Sequence, residues 1–420
     1  MSTPGLALYR GAATLAGLAG PAWLRARVRR GKEDARRWPE KLGHPSAARP
    51  DGELVWLHGA SVGEALSLIP LAELIAREHP KAGVLMTCAT LTAAELIARR
   101  APAAAIQQFA PLDAPAAVER FLGHWRPNLA VFAESELWPN LILAAKRRGA
   151  RTALVSARLS PSSLAGWRRA PRAAAAVLGG FDLILARDEA AAAGLRSLGA
   201  RVEGLADLKF GAAPLAVDPA ARAAAATLFP APPLLAASTH PGEDEIVLRA
   251  FAEARAAGAV VGNAQLIIAP RHPDRGAAIA GLARDSGLTV ALRSWGLATP
   301  ADVLVADTLG ELGLWFALSS VAIVCGGFVP GVGGHNPLEA ARAGCPIAFG
   351  PHVEAWPIYG EMAAAGAATP VSADSLAGLM VQALAGDQAL AAMAGRARAF
   401  VEPRDAAARA ALPRVLELLA

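Results

Sequence analysis

Cysteine is scarce in this chain of 420 residues, which has only 3: Cys88, Cys325 and Cys345. Each sits beside apolar or small residues and none forms a CxxC pair, so a disulfide framework and a thiolate metal site are excluded in favour of buried thiols in a reducing compartment. Aromatic residues are also few, at 5%, but no long polar tract accompanies that shortage, and alanine, leucine and glycine dominate. Such a chain folds rather than staying disordered. No repeat of fixed period is present, which excludes a solenoid. The glycine-rich stretch Gly326–Gly334 is followed by no Gly-Lys-Ser/Thr and its GVGGHN does not fit G-x-G-x-x-G, so neither a Walker loop nor a dinucleotide fingerprint is expected. No DxD triplet or histidine cluster joins the acidic motifs, and no metal site is expected.

Charge is sparse but located. The net charge is +5, and residues 25–41 carry all of it, with eight basic residues (Arg25, Arg27, Arg29, Arg30, Lys32, Arg36, Arg37, Lys41) against three acids (Glu33, Asp34, Glu40). The balanced remainder argues against a nucleic-acid surface. Just before this cluster lies Gly5–Leu24, about the ~20 residues of a bilayer span. Its alanines and glycines, Arg10 and Pro21 make it a weak span, and its charge order is the reverse of a signal peptide. An apolar stretch followed by cations suits a segment, residues 1–30, that lies on or weakly enters an anionic leaflet from the cytoplasmic side. The alternative is a helix docked on the protein itself. The cluster would also suit an anionic lipid substrate.

A chain of this length calls for two domains. Leu54–Ile69 sets the pattern: an apolar run through Leu57, a break at His58-Gly59-Ala60-Ser61, then helical spacing through Glu64 and Leu68. Strands are expected at Leu54–His58, Gly83–Thr87, Ile106–Gln108, Leu129–Ala133, Thr152–Ser156 and Leu183–Ala186, with helices between them such as Glu64–Glu78 and Ala93–Arg99. The proline-rich stretch Gly211–Pro233 reads as a linker around one short helix. The alternation then restarts at Leu234–Ala237, Leu266–Ala269, Thr289–Leu292, Val303–Ala306, Ala322–Cys325 and Ile347–Phe349. The expected architecture is α/β: two doubly wound, mainly parallel Rossmann-like halves, residues 31–212 and 213–420, with a cleft between them. An alanine-rich helical tail follows Ser375 and packs on or crosses back.

The candidate site residues sit where strands end. Glu64 falls in the first turn of a helix at the carboxyl end of a parallel strand, where open α/β sheets bind ligands, and is the expected catalytic base. A glutamate there also suits the helix dipole alone. Glu134 and Glu136 follow the strand Leu129–Ala133; they share a face if the strand continues and diverge if a helix starts, with Pro139 as its first-turn residue. Lys209 can reach a phosphate or stand as a solvated charge. Ser238-Thr239-His240-Pro241-Gly242-Glu243 repeats the strand–turn–helix logic and either caps a helix or receives an anion. Arg271 and His272, after Pro270, either meet a phosphate or base or pair with an acid. Gly310, Glu311 and Leu312 open a further helix, and Asn336, Pro337, Leu338 and Glu339 read as N-cap, first turn and capping box.

HGASVGE, ESELWPN, STHPGE, PRHP, GEL, GGHNPLEAA and FGPH, in this order and at these spacings, resemble the 3-deoxy-D-manno-octulosonic acid (Kdo) transferases of lipopolysaccharide synthesis, from about Lys32 to about Trp356. The resemblance implies a GT-B glycosyltransferase with CMP-Kdo bound mainly by the second half and a lipid A precursor mainly by the first. It implies metal-independent catalysis, with CMP-Kdo as donor and no cofactor, at the cytoplasmic face of the cell inner membrane, and so contact with its lipids. It assigns Glu64 as proton acceptor, Glu134 and Lys209 as transition-state stabilisers, and Pro270, Arg271, Gly310, Glu311, Leu312, Asn336, Pro337, Leu338 and Glu339 as CMP contacts. The competing expectations are a GT-B enzyme using a UDP-sugar and a non-catalytic membrane-bound protein that binds nucleotide or lipid.

Overall fold

The structure is a computed structural model that describes residues 3–211, 214–257, 264–296 and 300–419. Contacts divide the chain into two compact units, Met1–Ala212 with Arg404–Ala420, and Ala213–Pro403. The expected boundary at 212/213 falls on residues outside the described ones. The expectation that the second half runs to residue 420 is corrected: from Arg404 the last helix, Gln388–Leu416, belongs to unit 1. The reason is apolar burial, since Ala411, Leu412, Val415 and Leu416 fill the same core as Val55, Leu68 and Val131.

Unit 1 holds strands β1 (Leu54–His58), β2 (Gly83–Cys88), β3 (Ile106–Phe109), β4 (Leu129–Ala133), β5 (Arg151–Ala157), β6 (Leu183–Ala186) and the short β7 (Gly204–Leu205). They form one seven-stranded sheet in the order β3-β2-β1-β4-β5-β6-β7. Every pairing is parallel, which explains why β1 and β4 are buried throughout rather than alternating. Chain order reverses on either side of β1, so its carboxyl end and that of β4 flank a crevice, the topological switch point. Helix α1 (Pro4–Arg29) precedes the sheet, and the helices between its strands include α2 (Val62–Glu78), α3 (Leu91–Arg100), α4 (Pro115–Trp125) and α5 (Pro139–Arg147).

Unit 2 holds β8 (Leu234–Thr239), β9 (Leu266–Pro270), β10 (Val290–Leu292), β11 (Val303–Val305), β12 (Val321–Val324), β13 (Ile347–Phe349) and β14 (Thr369–Pro370), again parallel, in the order β10-β11-β9-β8-β12-β13-β14. Its switch point lies between β8 and β12. The linker's one helix is Pro219–Ala226. Two strands went unread in the sequence, β7 and β14. Each has two residues and no apolar run to betray it.

The amino-terminal segment is a single helix on unit 1. Thr3 caps α1, Pro4 occupies its first turn, and Leu6 and Leu24 bury against the unit. No single helix among the described residues is long and apolar enough to cross a membrane. Part of the basic cluster is structural: Lys41 is buried and paired with Glu33 (2.5 Å), Arg27 also meets Glu33 (2.7 Å), and Arg37 grips Glu40 (2.6 and 2.9 Å).

Candidate active site

Unit 1 gathers carboxylates at its switch point. Glu64 is the third residue of α2. Its Oε2 accepts from Ser61 N (2.9 Å) while Ser61 Oγ accepts from Glu64 N (3.3 Å), a complete capping box. A β-carbon at Gly59 would lie 2.8 Å from the Glu64 carbonyl carbon, so that glycine serves the close approach of the turn to its own helix rather than a ligand. Glu64 is buried, and burial, then the nearby Glu136 and Glu134, push its carboxyl above the usual range against the Ser61 N–H and His58. Its Oε1 makes no hydrogen bond among the described residues.

Glu134 and Glu136 part company, but not through either expected route. β4 ends at Ala133 and Glu134 takes a left-handed turn at φ +54, a conformation costing of order 1–3 kcal/mol outside glycine and concentrated at functional sites. That turn sends Glu134 to Lys209 Nζ (2.7 Å) and Arg158 Nε (2.6 Å). Burial works to raise its carboxyl, but the two cations outweigh it and hold the group below the usual range. Lys209 reaches it from the turn Leu208–Gly211, which Ser156 at the end of β5 holds by accepting from Leu208 N (2.8 Å).

Glu136 instead meets His58 Nε2 (3.0 Å) and accepts from Trp138 Nε1 (2.5 Å). The Thr87 hydroxyl accepts from Trp56 Nε1 (2.8 Å) and lies 2.9 Å from His58 Nδ1. With Thr87 donating to Nδ1, His58 carries its proton on Nε2 toward Glu136. Burial again tends to raise Glu136, but His58 and Trp138 win and its carboxyl falls below the usual range. Arg158 was not singled out in the sequence, where nothing beyond its place just after β5 distinguishes it from other surface arginines.

Unit 2 gathers cations and imidazoles. Glu243 is fully buried, and its carboxylate accepts from Gly326 N (2.8 Å), Phe328 N (2.9 Å) and His240 N (3.0 Å), tying the turn after β8 to the turn after β12. His240 and His335 stack at 5.0 Å between centroids and 14° between planes, with Nε2 atoms 2.8 Å apart. One ring must donate and the other accept. Burial, then His240, Arg271 and His272, drive His335 down to about 4; burial also lowers His240, so both rings are neutral near pH 7. Arg275 pairs with the buried Asp244.

Arg271, by contrast, is exposed just past Pro270, and its guanidinium has no hydrogen bond or ion pair among the described residues. It is not the acid-paired arginine that was the alternative. Glu311 is committed within the unit, to Arg293 (2.7 Å) and the Thr308 hydroxyl; Gly310 before it has φ +86 and Leu312 begins the next helix. Asn336 Oδ1 accepts from Leu338 N (3.0 Å) and its amide donates to Glu339 (3.4 Å), while the regular helix Leu338–Ala343 starts one residue after Pro337, so Pro337 rather than Asn336 stands at its N-cap and the side-chain cap expected there is not made. Among the described residues no group of three or more His, Cys, Asp or Glu is arranged to hold a metal ion.

A family profile described as 3-Deoxy-D-manno-octulosonic-acid transferase (kdotransferase) matches residues 36–212. The probable mitochondrial 3-deoxy-D-manno-octulosonic acid transferase of Arabidopsis thaliana is 37% identical over 350 residues, 79% of this chain and 76% of that protein. The 3-deoxy-D-manno-octulosonic acid transferase of Bordetella pertussis is 36% identical over 364 residues, 82% of this chain and 83% of its own length. Among solved structures, MurG of Acinetobacter baumannii aligns with a TM-score of 0.53 at 12% identity, over 87% of this chain and 100% of that one, a likeness of fold, the GT-B fold.

Proposed function

Because the chain belongs to the 3-deoxy-D-manno-octulosonic acid (Kdo) transferases, a family of glycosyltransferases, we propose that it moves Kdo from CMP-Kdo to a lipid A precursor, with Glu64 as general base. The observation that carries the role of Glu64 is its setting: a buried carboxyl at a switch point, raised by burial and by two neighbouring carboxylates, with one oxygen fixed by Ser61. An acceptor hydroxyl gives its proton to Glu64 as its oxygen attacks the anomeric carbon of Kdo. The bond to CMP breaks on the opposite face, so configuration inverts through an oxocarbenium-like transition state. The electron pair goes to the phosphate, whose growing charge Arg271 offsets. Pro270, Gly310 to Leu312 and Asn336 to Glu339 hold the nucleotide, and no metal or cofactor takes part. The protein works at the cytoplasmic face of the inner membrane.

The test is incubation with CMP-Kdo and a tetra-acylated lipid A precursor, followed by mass analysis of the lipid. The expected result is a product heavier by whole Kdo units, with inhibition by CMP and none by UDP. An unmodified lipid overturns the reading.

A further inference from the structure

The apolar groove along α1 does no work in the chemistry above. α1 lies on unit 1 through a stripe at helical spacing, Leu6, Tyr9, Ala13, Gly17, Gly20 and Leu24. At its middle a β-carbon on Gly17 would come within 2.6 Å of the Ala114 β-carbon, so only glycine permits this approach. Beside the stripe runs a cavity of about 570 Å³, lined among others by Ala12, Ala16, Ala19, Trp23, Leu112 and Trp138. That volume is within the roughly 300–1,000 Å³ of small-molecule sites.

We propose that this groove holds an acyl chain of the lipid acceptor. The inference rests on the Kdo-transfer reading and adds a subsite to it. Three observations converge on an amphiphile. First, the polar groups on the wall are already engaged. Tyr9 donates to Asp113 (2.9 Å), Asp113 accepts from Asn140 N (3.0 Å) and Leu141 N (2.7 Å), and the Trp138 N–H goes to Glu136. The remaining lining is alanine, glycine, leucine and indole, which rewards hydrocarbon and not a polar group.

Second, one wall residue of the groove is hydrogen-bonded to the carboxylate cluster. Trp138, one of its lining residues, bonds the same Glu136 oxygen that meets His58, and both Glu136 and His58 act on Glu64. A chain seated against Trp138 belongs to a molecule whose head lies near the base. Third, the charge is complementary to an anionic head. Arg25, Arg29, Arg30 and Lys32, at and just past the carboxyl end of α1, have no carboxylate partner among the described residues, while Leu8, Leu15 and Leu18 stand exposed on the same helix. A helix that carries exposed leucines along its length and ends in cations fits a lipid surface better than a second protein.

The test fills the groove from its open side. Ala16 is exposed and lines the cavity, so Ala16→Phe occupies it without displacing the core. Two readouts are taken on the full chain: binding of a fluorescent polyene fatty acid, and kinetics with tetra-acylated and with fully deacylated acceptor. The expected result is loss of polyene binding and a rise of about tenfold or more in KM for the tetra-acylated acceptor, with kcat little changed and transfer to the deacylated acceptor at the wild-type level. Leu15→Gln, exposed but not on the groove, leaves both readouts as in wild type. If Ala16→Phe binds the polyene and keeps its KM while Kdo is transferred, the acyl site falls and the Kdo reading stands. If no Kdo is transferred but polyene binding is lost on Ala16→Phe, the Kdo reading falls and the acyl site stands.

Discussion

Both units use the same device, a pair of turns at the switch point of a parallel sheet, yet they fill it with opposite chemistry. In unit 1 the turns after β1 and β4 carry Glu64, Glu134 and Glu136, and the cations there, Lys209 and Arg158, are spent on Glu134. In unit 2 the turns after β8 and β12 are clasped by the buried Glu243, while the other groups there are two stacked, half-buried imidazoles and the exposed Arg271, which has no partner among the described residues. The backbone geometry is therefore generic, and the side chains decide whether a switch point handles a proton or an anion. One buried glutamate is poised to titrate and the other is locked in place by main-chain N–H groups.

Substitutions can break that contrast, and the largest effect is expected at Glu64. Glu64→Gln keeps the size of the side chain but removes the base, and should cost about 10²–10⁴-fold in kcat while CMP-Kdo still binds; single-turnover rates and calorimetric titration with CMP separate the two. Next is Glu243→Ala, which leaves three buried N–H groups without their acceptor and should cost about 3 kcal/mol in local stability. Hydrogen exchange should then quicken about 100-fold in β8 and β12 amides and stay as it was in β1 and β4.

Arg271→Gln should do the reverse, weakening CMP binding about tenfold with stability within about 0.5 kcal/mol of wild type, since the guanidinium supports nothing in the fold. The smallest effect sharpens the account of unit 1. The base must be ionised, and burial with its acidic neighbours raises the Glu64 carboxyl, so activity should fall as pH drops through a value above the ordinary glutamate range. Glu136→Gln removes a neighbouring negative charge and should move that fall to lower pH in a kcat/KM profile.

Much of this was legible in the sequence, because burial on both faces writes a parallel strand as an unbroken apolar run. Leu54–His58, Leu129–Ala133, Leu183–Ala186 and Ile347–Phe349 were read with the bounds the structure gives. The Glu64 turn was legible too, since the apolar run breaks at His58 and helical spacing resumes at Glu64, although the capping box that closes it, with partners three residues apart, was not read. What could not be read were partnerships between distant segments. Nothing near Glu134 announces Arg158 or Lys209, 24 and 75 positions away by the numbering (158 − 134 and 209 − 134). Glu243 gave no sign that it would reach Gly326 and Phe328. The left-handed turn at Glu134 was missed because propensity expects glycine or asparagine there.

The return of the final helix to unit 1 has a practical consequence for anyone dissecting the chain. A fragment ending at 212 is short of part of its own interior, because Leu412, Val415 and Leu416 come from the far terminus. Supplying residues 404–420 as a separate peptide, or stitching them on by a short tether, is what would let the front half stand alone.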